Sequence, residues 1–189
     1  MGVDRSSELL ARLHADAAAA GVAVETVEAD LDALEPSLGS RTFDVVCAHG
    51  LLMYLDDDRA AFTTLAERVN SHGLLSMTFR NGRALAFRPG MRQDWDAALA
   101  AFDARAYVNE LGVHARAHRL DDVIARLNEL GFSVEAWYGV RVFTDAIPAD
   151  TKPRAEELPS LLEAEFQAGR RDPYRHLGSQ IHLIARRRT

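Results

Sequence analysis

The sequence predicts an α/β fold, a mostly parallel open sheet with helices on both faces, and three observations predict it. Segments with helical spacing of apolar residues alternate with short apolar runs. Glycines close several of the helical segments: Gly21, Gly73 and Gly131. Acids stand at or just beyond the ends of the first two runs, Asp4 and Asp30, where open α/β sheets gather ligands. A chain of 189 residues, 48% hydrophobic and 26% charged, fits a single globular domain with a sizeable core.

The elements follow in order. Residues 1–4 read as the tail of a strand. Ser6 or Ser7 caps a helix reaching Ala20, with Leu9, Leu10 and Leu13 as its apolar stripe. Val22 to Val27 alternates like a strand, and 36–41 reads as a loop. Phe43 to Ala48 is a continuous apolar run after its first acid, the pattern of a strand buried on both faces. Asp56, Asp57 and Asp58 put negative charge at the start of a helix carrying Phe62, Leu65 and Val69. Strands are predicted over 73–79, 132–143 and 181–185, with a helix capped by Asp121 or Asp122 between the first two. Residues 81–119 read as an insertion or lid with one helix from Gln93 to about Tyr107 and no strand. A second excursion, 150–173, holds a helix around Glu156–Gln167 that Pro159 begins or kinks.

The composition narrows the classes. A formal net charge of -6 gives no global attraction to nucleic acid or membrane, although local arginine clusters exist at 170–175 and 186–188. The single cysteine, Cys47, excludes an intrachain disulfide and a cysteine-rich zinc site. No apolar run nears the roughly 20 residues of a membrane span, and no targeting segment is recognisable, so the expected location is cytoplasmic. His114 and His118 have i, i+4 spacing, but no HExxH accompanies them and no metal is expected. Trp95, Phe102, Trp137 and Tyr138 read as packing residues, with Trp95 and Phe102 also able to cover an acceptor from a lid. In doubly wound folds a strand-end acid such as Asp4 holds ribose hydroxyls, and its companion is a glycine-rich turn roughly 20 residues earlier. Only three residues precede Asp4, and no GxGxG occurs in the chain.

FDVVCAHGLLMYLDDD, followed one helix later by HGLLSMTF, resembles the class I S-adenosylmethionine-dependent methyltransferases. FRNGRALAF, LNELGFSVEAWYGVRVFTD and DPYRHLGSQIHLIARR are similar to the bacterial methyltransferases of tRNA 5-carboxymethoxyuridine, which esterify the carboxylate of that wobble base. The resemblance implies a Rossmann-like class I methyltransferase sheet, entered at its second strand, in a single domain 1–189. The first strand and its glycine-rich loop are absent, which leaves strand edges unpaired and predicts weak binding of S-adenosyl-L-methionine. An upstream coding segment is the simplest explanation of the departure.

For the cofactor, the resemblance implies Asp4 at the ribose, Asp30 and Leu31 at the adenine, and His49 lining the site. The alternatives for the two acids are a helix cap and a solvated loop residue. For the acceptor, Arg80 and Arg141 could orient a carboxylate through their planar forks, and Tyr174 and Arg175 could stack on a splayed base. The alternatives are ion-paired arginines and a strand-entry loop. No general base is named, because a carboxylate is already ionised at neutral pH; with an amine or hydroxyl acceptor, His49 would be the candidate. Two other functions stay open: a small-molecule methyltransferase of the same fold, and a non-catalytic remnant that binds no cofactor. Oligomeric state is not readable.

Overall fold

A computed structural model describes the chain except for Asp56, Glu110, Leu111 and Ala149. The described residues divide into two units, Met1–Thr42 and Phe43–Thr189.

In the first unit, β1 (Gly2–Asp4) pairs in parallel with β2 (Thr26–Glu28), in the register Asp4 to Glu28. The helix α1 (Ser7–Ala19) connects them, capped by Ser6, whose hydroxyl accepts the Leu9 N–H at 3.2 Å. A 3-10 turn at Leu31–Ala33 runs into α2 (Leu34–Leu38), so the expected loop over 36–41 begins as helix. Arg41 closes the unit with a two-pronged pair onto Glu25, at 2.7 and 2.9 Å.

The second unit carries a four-stranded sheet in the order β3-β4-β8-β7: β3 (Phe43–His49), β4 (Val69–Arg80), β7 (Phe132–Val140) and β8 (Gln180–Arg187). Only β3–β4 is parallel; β8 runs antiparallel to both neighbours. The mostly parallel expectation is therefore corrected to a mixed sheet, because β8 returns between β4 and β7. Helices α3 (Asp58–Glu67) and α6 (Leu120–Glu129) pack on β4 and β7. Leu75, Met77 and Phe79 of β4, Leu183 of β8 and Leu127 of α6 are fully enclosed in this core. Alternation then leaves Leu74, Ser76 and Thr78 on the opposite, half-covered face, in register with Val45, Cys47 and His49.

Several local expectations change. β3 is an edge strand with Val45 53% exposed, not a strand buried on both faces. Asp57 caps α3 by accepting the Arg59 N–H at 2.9 Å, while Asp56 lies outside the described residues. Arg119 precedes α6 without a side-chain cap, and Asp121 and Asp122 in its first turn pair with Arg83 and Arg105 instead. The 81–119 segment contains short helices α4 (Phe87–Met91) and α5 (Trp95–Ala101), then an antiparallel hairpin of β5 (Ala106–Val108) and β6 (His114–Arg116). The expected helix ends at Ala101, and its last residues, Ala106 and Tyr107, belong to the first strand of the hairpin. The hairpin places His114 in β6, while His118 is buried beyond it and bonded to Asp58 at 2.7 Å. The two histidines therefore share no helix face. Trp95 and Phe102 are exposed rather than packed. The last helix, α7 (Leu158–Arg170), begins with Pro159 in its first turn.

Candidate active site

Asp4 and Asp30 stand at the same end of the β1–β2 pair. Asp4 is half-buried at the end of β1, and its Oδ1 accepts the Ser6 N–H at 2.8 Å. Asp30 follows β2 by two residues and caps the 3-10 turn, with Oδ1 accepting the Leu31 N–H at 2.7 Å. Asp4 does not itself cap α1, which Ser6 does, but it binds the N–H of that cap, and Asp30 is exposed as a solvated loop acid would be while also capping the turn, so each carboxylate spends one oxygen on a backbone N–H. A carboxylate has about four lone-pair sites, so neither bond removes its capacity for ligand hydroxyls or an exocyclic amine. Leu31 is half-buried beside Asp30. Asp4 is thus able to accept from a pair of hydroxyls, and Asp30 from an exocyclic amine beside the apolar Leu31.

In the second unit, His49 ends β3, exposed, and Gly50 follows with a φ of +69° and open space where a Cβ would point. The left-handed backbone turns the chain away from the strand end. His49 Nε2 lies 2.8 Å from Ser76 Oγ, which lies 2.9 Å from Nε2 of His182 on β8. Neighbouring strands thus carry a row of hydrogen-bonding groups across one sheet face. Burial, then the nearby charge of His49, holds the His182 imidazole below its ordinary titration range. The row ends at a cavity of about 280 Å³ lined by Tyr138, Gly139, Glu165, Phe166, Gly169 and His182.

The arginines behave differently from one another. Arg80 closes β4 with its side chain 6% exposed, 3.5 Å from Asp145, and its guanidinium lies 5.0 Å from the Tyr107 ring centre. Burial draws its pKa down against the opposing pull of Asp145. Arg80 is an interior ion-pair residue. Asp145 is buried as well and takes a two-pronged pair from Arg88, at 2.6 and 2.7 Å. Burial alone would raise its carboxyl, but the Arg88 hydrogen bonds and the charges of Arg80 and Arg88 outweigh this and hold it low. Arg141 is a third cation at the same carboxylate, 3.6 Å away, with its side chain 45% exposed. It does not lie in the strand as expected: β7 stops at Val140, and Arg141 opens a turn with φ +58°.

Arg175 is committed to two partners, Asp172 at 2.6 and 2.9 Å and the face of Trp137 at 4.0 Å. His176 meets the same indole edge-on at 4.9 Å. Tyr174 remains exposed, 6.4 Å from the Phe143 ring. Sequence reasoning passed over Asp145, Arg88, Ser76, His182 and Glu165. The one available signal was GVRVFTD itself, in which Arg141 and Asp145 stand four residues apart.

Known proteins resemble the chain in sequence and in fold. Residues 1–73 match the family model of the methyltransferase domain. The chain is 28% identical over 144 residues to the tRNA 5-carboxymethoxyuridine methyltransferase of Escherichia coli (strain K12), covering 76% of this chain. It spans about half the length of the curated relatives it matches, 54%. Among solved structures, an S-adenosylmethionine-dependent methyltransferase from Mesorhizobium loti matches at a TM-score of 0.56 and 18% identity. That match covers 98% of this chain and 79% of the other. The magnesium protoporphyrin IX methyltransferase ChlM of Synechocystis PCC 6803, with bound SAH, matches at 0.54 and 16%, over 98% and 62%. The [4+2]-cyclase SpnF matches at 0.59 and 18%, over 100% and 65%, so the fold also carries a different reaction. The chain has the Rossmann-like fold of solved S-adenosylmethionine-dependent methyltransferases, and its residues 1–73 match the methyltransferase-domain family.

Proposed function

We propose that the protein is an S-adenosylmethionine-dependent methyltransferase whose acceptor is a carboxylate, that of 5-carboxymethoxyuridine in tRNA. The observation that carries the acceptor class is Arg141. Among the described residues its ion contact is a single 3.6 Å approach to Asp145, a carboxylate already held by Arg80 and Arg88. An exposed guanidinium beside a satisfied acid is able to take a second anion through its planar fork.

The cofactor supplies an electrophilic methyl group on a sulfonium. Transfer to a carboxylate oxygen is an in-line displacement that demands alignment rather than proton removal. Arg141 would set that alignment by holding the acceptor carboxylate. Within the first unit Asp4, Asp30 and Leu31 would hold the nucleoside of the cofactor; in the second unit His49 is a cofactor contact and not a base. Esterification removes the negative charge, so the grip of Arg141 weakens on the product and favours its release. Tyr174 is the exposed aromatic available to a splayed base, whereas Arg175 is already engaged by Trp137 and Asp172. The tRNA reading draws on the E. coli relative and implies a cytoplasmic protein; no helix among the described residues is long and apolar enough to cross a membrane. A net charge of -6 favours the second reading, a small-molecule acceptor on the same fold.

The test is equilibrium binding of the nucleoside 5-carboxymethoxyuridine and of its methyl ester. The acid should bind about tenfold or more tightly than the ester, as expected for a charge-assisted contact of roughly 1.5–3 kcal/mol. Arg141→Ala should abolish that preference and Arg141→Lys restore part of it. Equal binding of acid and ester by the parent protein would refute the carboxylate reading.

A further inference from the structure

The turn that carries Arg141 is held from outside by one side chain. Glu165, half-buried on α7, accepts three consecutive backbone N–H groups: Val142 at 2.8 Å through Oε2, and Phe143 at 3.0 Å and Thr144 at 2.8 Å through Oε1. Successive amides aimed at one point form an anion-binding concavity, and here the protein fills it with its own carboxylate. Val142 is buried beneath the turn.

The placement of α7 is equally constrained. A Cβ on Gly169 would overlap the carbonyl oxygen of Gly139 at the end of β7. A Cβ on Gly178 would come within 2.7 Å of the Gly139 Cα and the Val140 nitrogen. Bare backbone at these positions lets the helix and the 174–177 turn close onto the strand end, which brings Glu165 within reach of the amides. Arg141 meanwhile adopts φ +58°, a region that non-glycine residues occupy only where the surroundings over-determine it. The three bonds to Glu165 begin at the next residue.

We propose that Glu165 is a positioning residue for Arg141. By tying down the 142–144 amides it fixes the turn, and with it the left-handed backbone that presents the Arg141 guanidinium beside Asp145. Glu165 touches no reacting atom; it acts through Arg141. The proposal rests on the carboxylate-acceptor reading above and extends it to the residue that sets acceptor specificity.

The test uses the full chain with Glu165→Ala and Glu165→Gln. In the parent, the amides of Val142, Phe143 and Thr144 should exchange with deuterium well below the rate of exposed turn amides. Free exchange there would overturn the proposal before any variant is made. In Glu165→Ala the three amides should exchange faster, and the acid-over-ester preference for 5-carboxymethoxyuridine should fall about as far as in Arg141→Ala. Affinity for the ester should not change, whereas general loss of structure would weaken both ligands. Glu165→Gln, with one carbonyl acceptor in place of two carboxylate oxygens, should fall between. The double variant Arg141→Ala with Glu165→Ala should lose no more than either alone, as expected of residues acting as one unit. A full acid preference in Glu165→Ala with faster amide exchange would overturn the positioning role. No acid preference in the parent would instead remove the carboxylate reading itself, and this proposal with it.

Discussion

The site chemistry turns on how single side chains share their partners. Asp145 shows the economy: burial costs a carboxylate its hydration, and the Arg88 fork together with Arg80 offsets that, so it stays ionised. Arg141 then sits beside a charge that others have satisfied. The sequence made Arg80 and Arg141 look equivalent, one just after the expected 73–79 strand and the other inside the expected 132–143 strand, and nothing in residue type tells a buried guanidinium from an exposed one. The Ser76 hydroxyl poses a similar question on the other side of the sheet. It has one proton for two imidazoles, so with both rings neutral, one Nε2 donates to it and the other accepts. Since the folded pKa of His182 is depressed below 6.5, the unfolded chain takes up a proton that the folded chain refuses as pH falls through 6.5. Stability from this residue is complete above that pH and is lost on descending toward the folded value. Urea midpoints measured at pH 7.5 and 5.5 should therefore drop more in the parent than in His182→Gln. An equal drop in both would show that His182 titrates normally.

At the scale of elements, periodicity exposed what local chemistry controls and missed what pairing controls. α1 starts at Ser7 behind its Ser6 cap, and β8 lies where an apolar run had been seen. The β5–β6 hairpin was invisible because its strands are three residues each, too short to show alternation. The run over 43–48 was read as doubly buried, yet β3 has one neighbour and shows Val45 and Cys47 to solvent. An apolar strand signals the environment its side chains suit, not the one they have. The contrast is measurable. Leu127→Ala on α6, fully buried under the sheet, should cost about 2–5 kcal/mol of unfolding free energy. Val45→Thr, on the exposed edge, should stay within about 0.5 kcal/mol of the parent. A large loss at Val45 in denaturant titrations would mean that β3 is covered in solution.

Over the whole molecule, the fold class was legible and the sheet topology was legible only in part. Alternating elements gave the α/β class, but no periodicity announces that β8 inserts between β4 and β7 in antiparallel sense. Among the described residues β1 and β3 each have a single strand partner in their sheets. The strand-end placement of Asp4, Asp30 and His49 was legible, because it is local to the chain. Placement was not legible where folding joins distant residues, as with Glu165 and the 142–144 amides or Arg88 and Asp145. The central claim, methyl transfer to a carboxylate, has a direct measurement. The protein is incubated with tRNA bearing 5-carboxymethoxyuridine and methyl-labelled S-adenosylmethionine. The tRNA is then treated with mild alkali, which cleaves methyl esters and leaves N-, C- and ether-linked methyl groups in place. Label that enters the tRNA and is released by alkali as methanol is the expected result. Label that survives alkali, or none in the tRNA at all, would contradict it.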